Sequence, residues 1–185
     1  MTRLLLIAGS LLLSLTLPLQ AGGFSQRLES NGISFTISSP NKADGNTVTI
    51  QSRGLKNGDV PITQEVEELV TKAEIDDLDG DGSPELFIYT TSPGSGSHGK
   101  AYAWSTNGKK VLTDIFITPP GKKELSGYMG HDEFAVVEGS FVRRFPVYKT
   151  GDSNSSPTGG WRQFQYKLKP GEAGWILRIK RVVSF

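Results

Sequence analysis

The chain has 185 residues, and its 20 Lys and Arg nearly balance its 19 Asp and Glu. Near-neutrality leaves no electrostatic footprint for nucleic acid or an anionic membrane surface. Cysteine is absent, which excludes a disulfide-stapled scaffold and lipid attachment through a thiol.

The first residues have the layout of a secretory signal peptide. Arg3 supplies the positive charge, and Leu4 to Leu17 is apolar except at Gly9, Ser10, Ser14 and Thr16. Pro18-Leu19-Gln20-Ala21 then ends on a small residue suited to cleavage. The apolar run is short for a membrane span. Export to the periplasm is expected, with cleavage after Ala21 leaving residues 22–185 as one β-rich domain.

Beyond that point strand patterns dominate. Ile33-Ser34-Phe35-Thr36-Ile37 alternates apolar and polar residues, and Val48-Thr49-Ile50 repeats the pattern after a turn at Asp44-Gly45. Thr63 to Val70 fits one or two helical turns behind a Thr63 cap, or a strand running on through Ala73 and Ile75. The strand is preferred, because a capping box would need Glu or Gln where Val66 stands.

Asp77-Leu78-Asp79-Gly80-Asp81-Gly82 places carboxylates at alternate positions before a glycine, with Glu85 following. Such spacing converges oxygens on a hard cation, so Asp77, Asp79, Asp81 and Glu85 form a candidate calcium site. An EF-hand is excluded, because its twelfth position is Ile88. The simpler reading, preferred here, is a tight turn whose Asp side chains bond local amides and which tolerates loss of calcium. No other cofactor is indicated.

Leu86 to Thr91 is a strand-like run that leads into Pro93-Gly94-Ser95-Gly96-Ser97-His98-Gly99. Ala101 to Ser105 leads out, and Asn107-Gly108 is a favoured hairpin turn before Lys110–Ile117. The glycines spell G-x-G-x-x-G, but strand rather than helix follows, so a dinucleotide fold is not expected. The tip carries small hydroxyls, one imidazole and free amides. It suits a polar probe better than a catalytic apparatus, although a flexible hairpin loop has the same composition.

Pro119 to Gly130 is a polar loop interrupted by Leu125 and Tyr128. Gly130-His131-Asp132-Glu133 reads as a polar turn before a Phe134 strand. A Ser/His/Asp relay can be drawn from Ser95 or Ser97, His131 and Asp132, but no strained elbow presents a nucleophile, and no enzyme activity is expected. His98 and His131 are the only histidines, too few for a His-rich zinc site. Arg143-Arg144 would place one guanidinium inward, needing a carboxylate, or leave both solvated on an edge strand, which is preferred. Gly151 to Gly160 is a Ser/Asn/Gly/Pro loop. Phe164, Tyr166 and Leu168, then Trp175, Leu177 and Ile179, alternate around Lys169-Pro170-Gly171. About ten short strands at this spacing predict an all-β antiparallel sandwich or barrel-like sandwich with long polar loops.

Five stretches carry a family resemblance: "DLDGDGSPELFIYTTS", "GSGSHGKAYA", "GYMGHDEFAVVEG", "RRFPVYKTGDSN" and "PTGGWRQFQYKL". With them the chain resembles the periplasmic inhibitors of invertebrate-type lysozyme over Asp77 to Leu168. In that family a loop with a Ser-Gly-x-Tyr pattern enters the lysozyme cleft, and the fold is β-rich and capable of dimerising. The matching positions are Ser95, Gly96, Ser97 and His98, so histidine stands in place of the tyrosine. The resemblance implies a lysozyme inhibitor, with invertebrate-type lysozyme as partner and a second copy in a homodimer. The alternative that the residues leave open is an exported calcium-binding β-module with a structural or adhesive role.

Overall fold

The computed structural model describes residues 22–42 and 45–185. The expected signal peptide at 1–21 and Asp44 of the expected first turn lie outside the described residues. All twelve elements among the described residues are strands.

The first four, β1 (Phe24–Ser30), β2 (Ile33–Ser39), β3 (Asn46–Arg53) and β4 (Ile62–Val66), form an antiparallel sheet in chain order. The other eight are β5 (Leu69–Asp76), β6 (Glu85–Thr91), β7 (Gly99–Ser105), β8 (Thr113–Ile117), β9 (Glu133–Val137), β10 (Ser140–Pro146), β11 (Trp161–Pro170) and β12 (Trp175–Ser184). They make a second sheet in the order β5-β6-β7-β8-β12-β11-β10-β9, which curls into a nearly closed barrel. Its two ends approach each other where Glu74 Oε2 on β5 accepts the N–H of Val136 on β9 at 3.0 Å. The same oxygen accepts the Tyr89 hydroxyl at 2.7 Å.

The sheet is mixed. Trp175, Ile176 and Leu177 of β12 run parallel to Ile115, Phe116 and Ile117 of β8. The chain leaves β8 by a long loop and returns through the β9–β12 meander, so β12 reaches β8 after an even number of reversals. A bulge between Gln165 and Tyr166 and their β12 partners leaves Lys180 unpaired, as bulges do when a sheet must bend.

Residues 63–70 are strand, as preferred from sequence, but two strands rather than one. The chain changes sheets at Glu67-Glu68. Val66 and Val70 both pack into one core, while Glu68 is nearly buried between them. Its carboxylate binds Lys100 Nζ at 2.5 Å and accepts the Thr90 hydroxyl at 3.2 Å, and its carbonyl accepts Asn46 Nδ2. That fixed corner breaks a strand that alternation alone would continue. The Asn107-Gly108 turn is also longer than a two-residue hairpin. Asn107, Gly108 and Lys109 all have positive φ, and β8 begins only at Thr113.

Two cores divide the molecule. Phe35, Ile37, Ile50, Leu86, Ile88 and Trp104 belong to the one between the four-stranded sheet and the outside of the barrel. Phe87, Tyr89, Phe141, Phe145, Phe164 and Tyr166 belong to the barrel interior. Strand β6 serves both: Leu86 and Ile88 face one core, Phe87 and Tyr89 the other. A strand buried on both faces reads as a continuous apolar run rather than an alternating one, which is how Leu86-Phe87-Ile88-Tyr89 is written. Phe87 stacks on Phe141 with ring centroids 5.3 Å apart. Truncating it leaves a cavity in a close-packed interior, so Phe87→Ala is expected to cost about 3–5 kcal/mol in chemical denaturation. A loss below about 1 kcal/mol would mean that the barrel interior is not packed as described.

Candidate functional site

The tip between β6 and β7 is built rather than loose. Ser92 and His98 close its base: Ser92 N–H donates to His98 O at 2.8 Å, and His98 N–H donates to Ser92 Oγ at 3.0 Å. Ser97 N–H donates to Gly94 O at 3.2 Å, with Ser97 itself at φ +43°. The tip is then clamped from outside. His131 N–H donates to Gly96 O at 2.8 Å, and Asn154 Nδ2 donates to Ser95 O. Gly130 has φ +97°, and a Cβ there would lie 1.8 Å from Gly96 O, so only glycine permits this approach. The His98 ring meets Tyr128 edge-on at 5.5 Å. Ser95 and His98 remain exposed. The N–H groups of Gly94, Ser95 and Gly96 have no protein acceptor among the described residues. The tip therefore offers consecutive free amides beside a hydroxyl and an imidazole, in a held conformation.

Asp132 holds that arrangement. Its side chain is fully buried. One oxygen accepts Arg143 Nε at 2.7 Å; the other accepts the Tyr128 hydroxyl and the Gly99 N–H, the latter at 2.8 Å. Burial disfavours the Arg143 charge, but Asp132 more than offsets it and raises its pKa. Burial first, then the bond to Asp132, likewise raises Tyr128, so its hydroxyl stays a donor. The Arg143 guanidinium also lies over Tyr128 at 5.1 Å and over Phe145 at 5.5 Å. Two sequence expectations are corrected here. Arg143-Arg144 is not on an edge, because β10 lies between β9 and β11. Arg144 is indeed exposed and pairs with Glu133, but Arg143 is the inward one. The stretch Gly130 to Asp132 is a connection leading into β9, which begins at Glu133, and its Asp132 is the hub of the site. The inward–outward alternation of β10 was the signal that could have found this pair.

No Ser/His/Asp relay assembles. Asp132 turns to Arg143, Tyr128 and Gly99, while His131 Nε2 lies 3.3 Å from Asn154 Oδ1.

The acidic turn lies away from the tip, between β5 and β6. Part of it satisfies itself: Asp81 N–H donates to Asp79 Oδ1, Gly82 N–H to Asp77 Oδ2, and Ser83 N–H to Asp81 Oδ1. Asp81 stands outside the carboxylate cluster. Asp77, Asp79 and Glu85 instead bring carboxylate oxygens within 4.8 Å of one another. Asp77 Oδ1 is buried without a hydrogen-bond partner. Glu85 is 1% exposed; it accepts Leu78 N–H at 3.0 Å and the Ser105 hydroxyl at 3.1 Å, and no cation faces it among the described ion pairs. These three carboxylates have the hard-oxygen chemistry that calcium takes.

Compared with protein-family models, with curated proteins and with solved structures, the chain matches none.

Burial pushes the Glu85 carboxyl up to about 7, and burial also raises Asp79. A raised carboxyl pKa reverses the usual sign. The folded state holds a proton that the unfolded chain releases near 4.5, so stability falls as pH rises from there through about 7. The loss expected from Glu85 is about 3 kcal/mol. Denaturation at pH values on both sides of that window, with native protein and Glu85→Gln, checks it. The variant should lose most of the decline, keeping only the part from Asp79, and parallel profiles would refute the assignment.

Proposed function

We propose that this protein is a proteinaceous inhibitor of invertebrate-type lysozyme whose Ser95-Gly96-Ser97-His98 tip enters the enzyme's active-site cleft. The observation that carries the reading is the held tip, with free N–H groups at Gly94, Ser95 and Gly96 beside exposed Ser95 and His98. A lysozyme cleft presents a general-acid carboxyl group and a second carboxylate. Donors fixed in advance can bond those groups without losing loop entropy on binding. Hydrogen bonds to an ionised partner are about twice as strong as neutral ones. The resemblance of the five stretches points the same way, and under it the protein acts in the periplasm after export, as a homodimer. It is no enzyme on this reading.

The test is clearing of bacterial cell walls by invertebrate-type lysozyme in the presence of the purified protein. The native protein should inhibit. Ser95→Ala/His98→Ala should need about a hundredfold more protein for half-inhibition, the loss expected for two charge-assisted hydrogen bonds. Melting should be unchanged, since both side chains are exposed. His98→Tyr, which supplies the family's residue, should inhibit at least as well as the native protein. A double variant of undiminished potency would remove the tip from the mechanism.

A second reading, an exported calcium-binding module with a structural or adhesive role, is favoured by one observation. Asp77, Asp79 and Glu85 converge, and Asp77 Oδ1 is buried without a partner. On that reading calcium at pH 8 should raise the melting temperature by many degrees, and Asp79→Ala should abolish the rise. On the inhibitor reading the self-bonded turn holds, and calcium or a chelator should shift melting only slightly.

A further inference from the structure

The barrel wall has a gap. Strands β7 and β8 pair only at Trp104↔Asp114 and Ser105↔Thr113, and β8 then turns to pair with β12. From there β7 and β8 diverge. Gly99 to Tyr102 forms one lip of the opening, and Ile117 to Pro120 the other. Behind the lips is a cavity of about 220 Å³ whose inner wall is Phe134, Phe141, Arg143 and Tyr166.

Two polar groups in this cavity are underused. Tyr166 lines the cavity, and its hydroxyl, which keeps a little exposure there, has no protein hydrogen-bond partner among the described residues. Burial pushes its pKa up to about 12, so it is a neutral donor at ordinary pH. The second group is Arg143, which Asp132 engages through Nε alone. That leaves the terminal nitrogens of a five-donor fork. The remaining wall is apolar: Phe134 and Phe141 stack at 6.0 Å, and Ala101 and Ile117 close the sides.

Charge decides what such a cavity takes. Arg143 is already neutralised by Asp132 at 2.7 Å. On Tyr166 the positive charge of Arg143 is opposed by the negative charges of Glu124 and Asp132. Lys100 at the lip is bound to Glu68 and Glu67. An added anion would meet no unpaired cation, whereas a neutral oxygen acceptor would satisfy both donors. An apolar cavity of about 150 Å³ accommodates a benzene ring, so the volume here fits one ring with a small polar substituent.

We propose that the gap between β7 and β8 is a binding site for a small neutral ring compound bearing one acceptor oxygen, held by the Tyr166 hydroxyl and the Arg143 guanidinium against the stacked pair Phe134 and Phe141. The site does not depend on lysozyme inhibition, and neither test decides the other.

The experiment is an NMR titration of the full protein with benzamide, toluene and benzoate, following the ring resonances of Phe134, Phe141 and Tyr166. Benzamide should bind with a Kd of about 1 mM or tighter, the range of a weak but specific ligand. Toluene, which lacks the acceptor, and benzoate, which adds a charge, should each bind about tenfold more weakly. Tyr166→Phe removes one hydroxyl and should bring benzamide close to toluene. Ala101→Met, which fills the cavity from the lip, should abolish binding of all three without changing the tip's resonances. Equal affinity for benzamide and toluene in the native protein, or a benzamide preference that survives Tyr166→Phe, would overturn the assignment. So would a failure of benzamide to shift the three rings.

Discussion

Strand β6 is the constraint on which the rest of the structure depends. Both of its faces are buried, with Leu86 and Ile88 in one core and Phe87 and Tyr89 in the other. Its neighbours are fixed by full-length pairing, β5 along one edge and β7 along the other. Apolar burial contributes about 25 cal/mol per Å², and β6 gathers it on two faces at once. Both candidate sites are attached to this strand. The acidic turn is its approach, closed by Glu85 at its first position, and the donor-bearing tip is its exit. Two connections that would otherwise be independent surface loops thus spring from a strand buried along nearly its whole length.

The second dependence is electrostatic. Asp132 and Arg143 form an ion pair with the carboxylate fully buried, an arrangement that is a weak source of stability but costly to break on one side. Its effect here is positional. Through Tyr128 and the Gly99 N–H, the same carboxylate sets the angle at which the tip leaves the barrel. Gly130 and Asn154 complete the clamp from two other loops. The three segments lie far apart in the chain and meet only because β9, β10 and β11 bring their loops to one end of the barrel. A binding loop on such a support loses little conformational freedom when it binds. The cavity between β7 and β8 shares this wall, since Arg143 faces it while holding Asp132.

Much of the fold was legible in sequence, and the reason is local. Alternation at Ile33–Ile37, Phe164–Leu168 and Trp175–Ile179 follows from one buried face per strand, and Asn-Gly and Pro-Gly pairs mark reversals that need few neighbours. These patterns determined that the protein is all-β, where most strands run, and that residues 94–99 form a polar, glycine-rich tip with Ser95 and His98 on it. They also determined that carboxylates recur through residues 77–85.

What only the tertiary structure decided depends on partners distant in sequence. The division into two sheets turns on Glu68, whose burial is secured by Lys100 and Thr90 more than twenty residues away. The parallel pairing of β8 with β12 follows from how a meander closes a barrel, which no local pattern encodes. Asp81 was indistinguishable from Asp77 and Asp79 by spacing, and only the backbone path leaves it outside the cluster that Asp77 and Asp79 form with Glu85. Alternation with Phe141 and Phe145 puts Arg143 on the inward face, but that Asp132 is the carboxylate meeting it there was decided by the fold. Periodicity reports which residues share a face. It cannot report which side chain across the fold neutralises a buried charge, because that is set by three-dimensional proximity and not by separation along the chain.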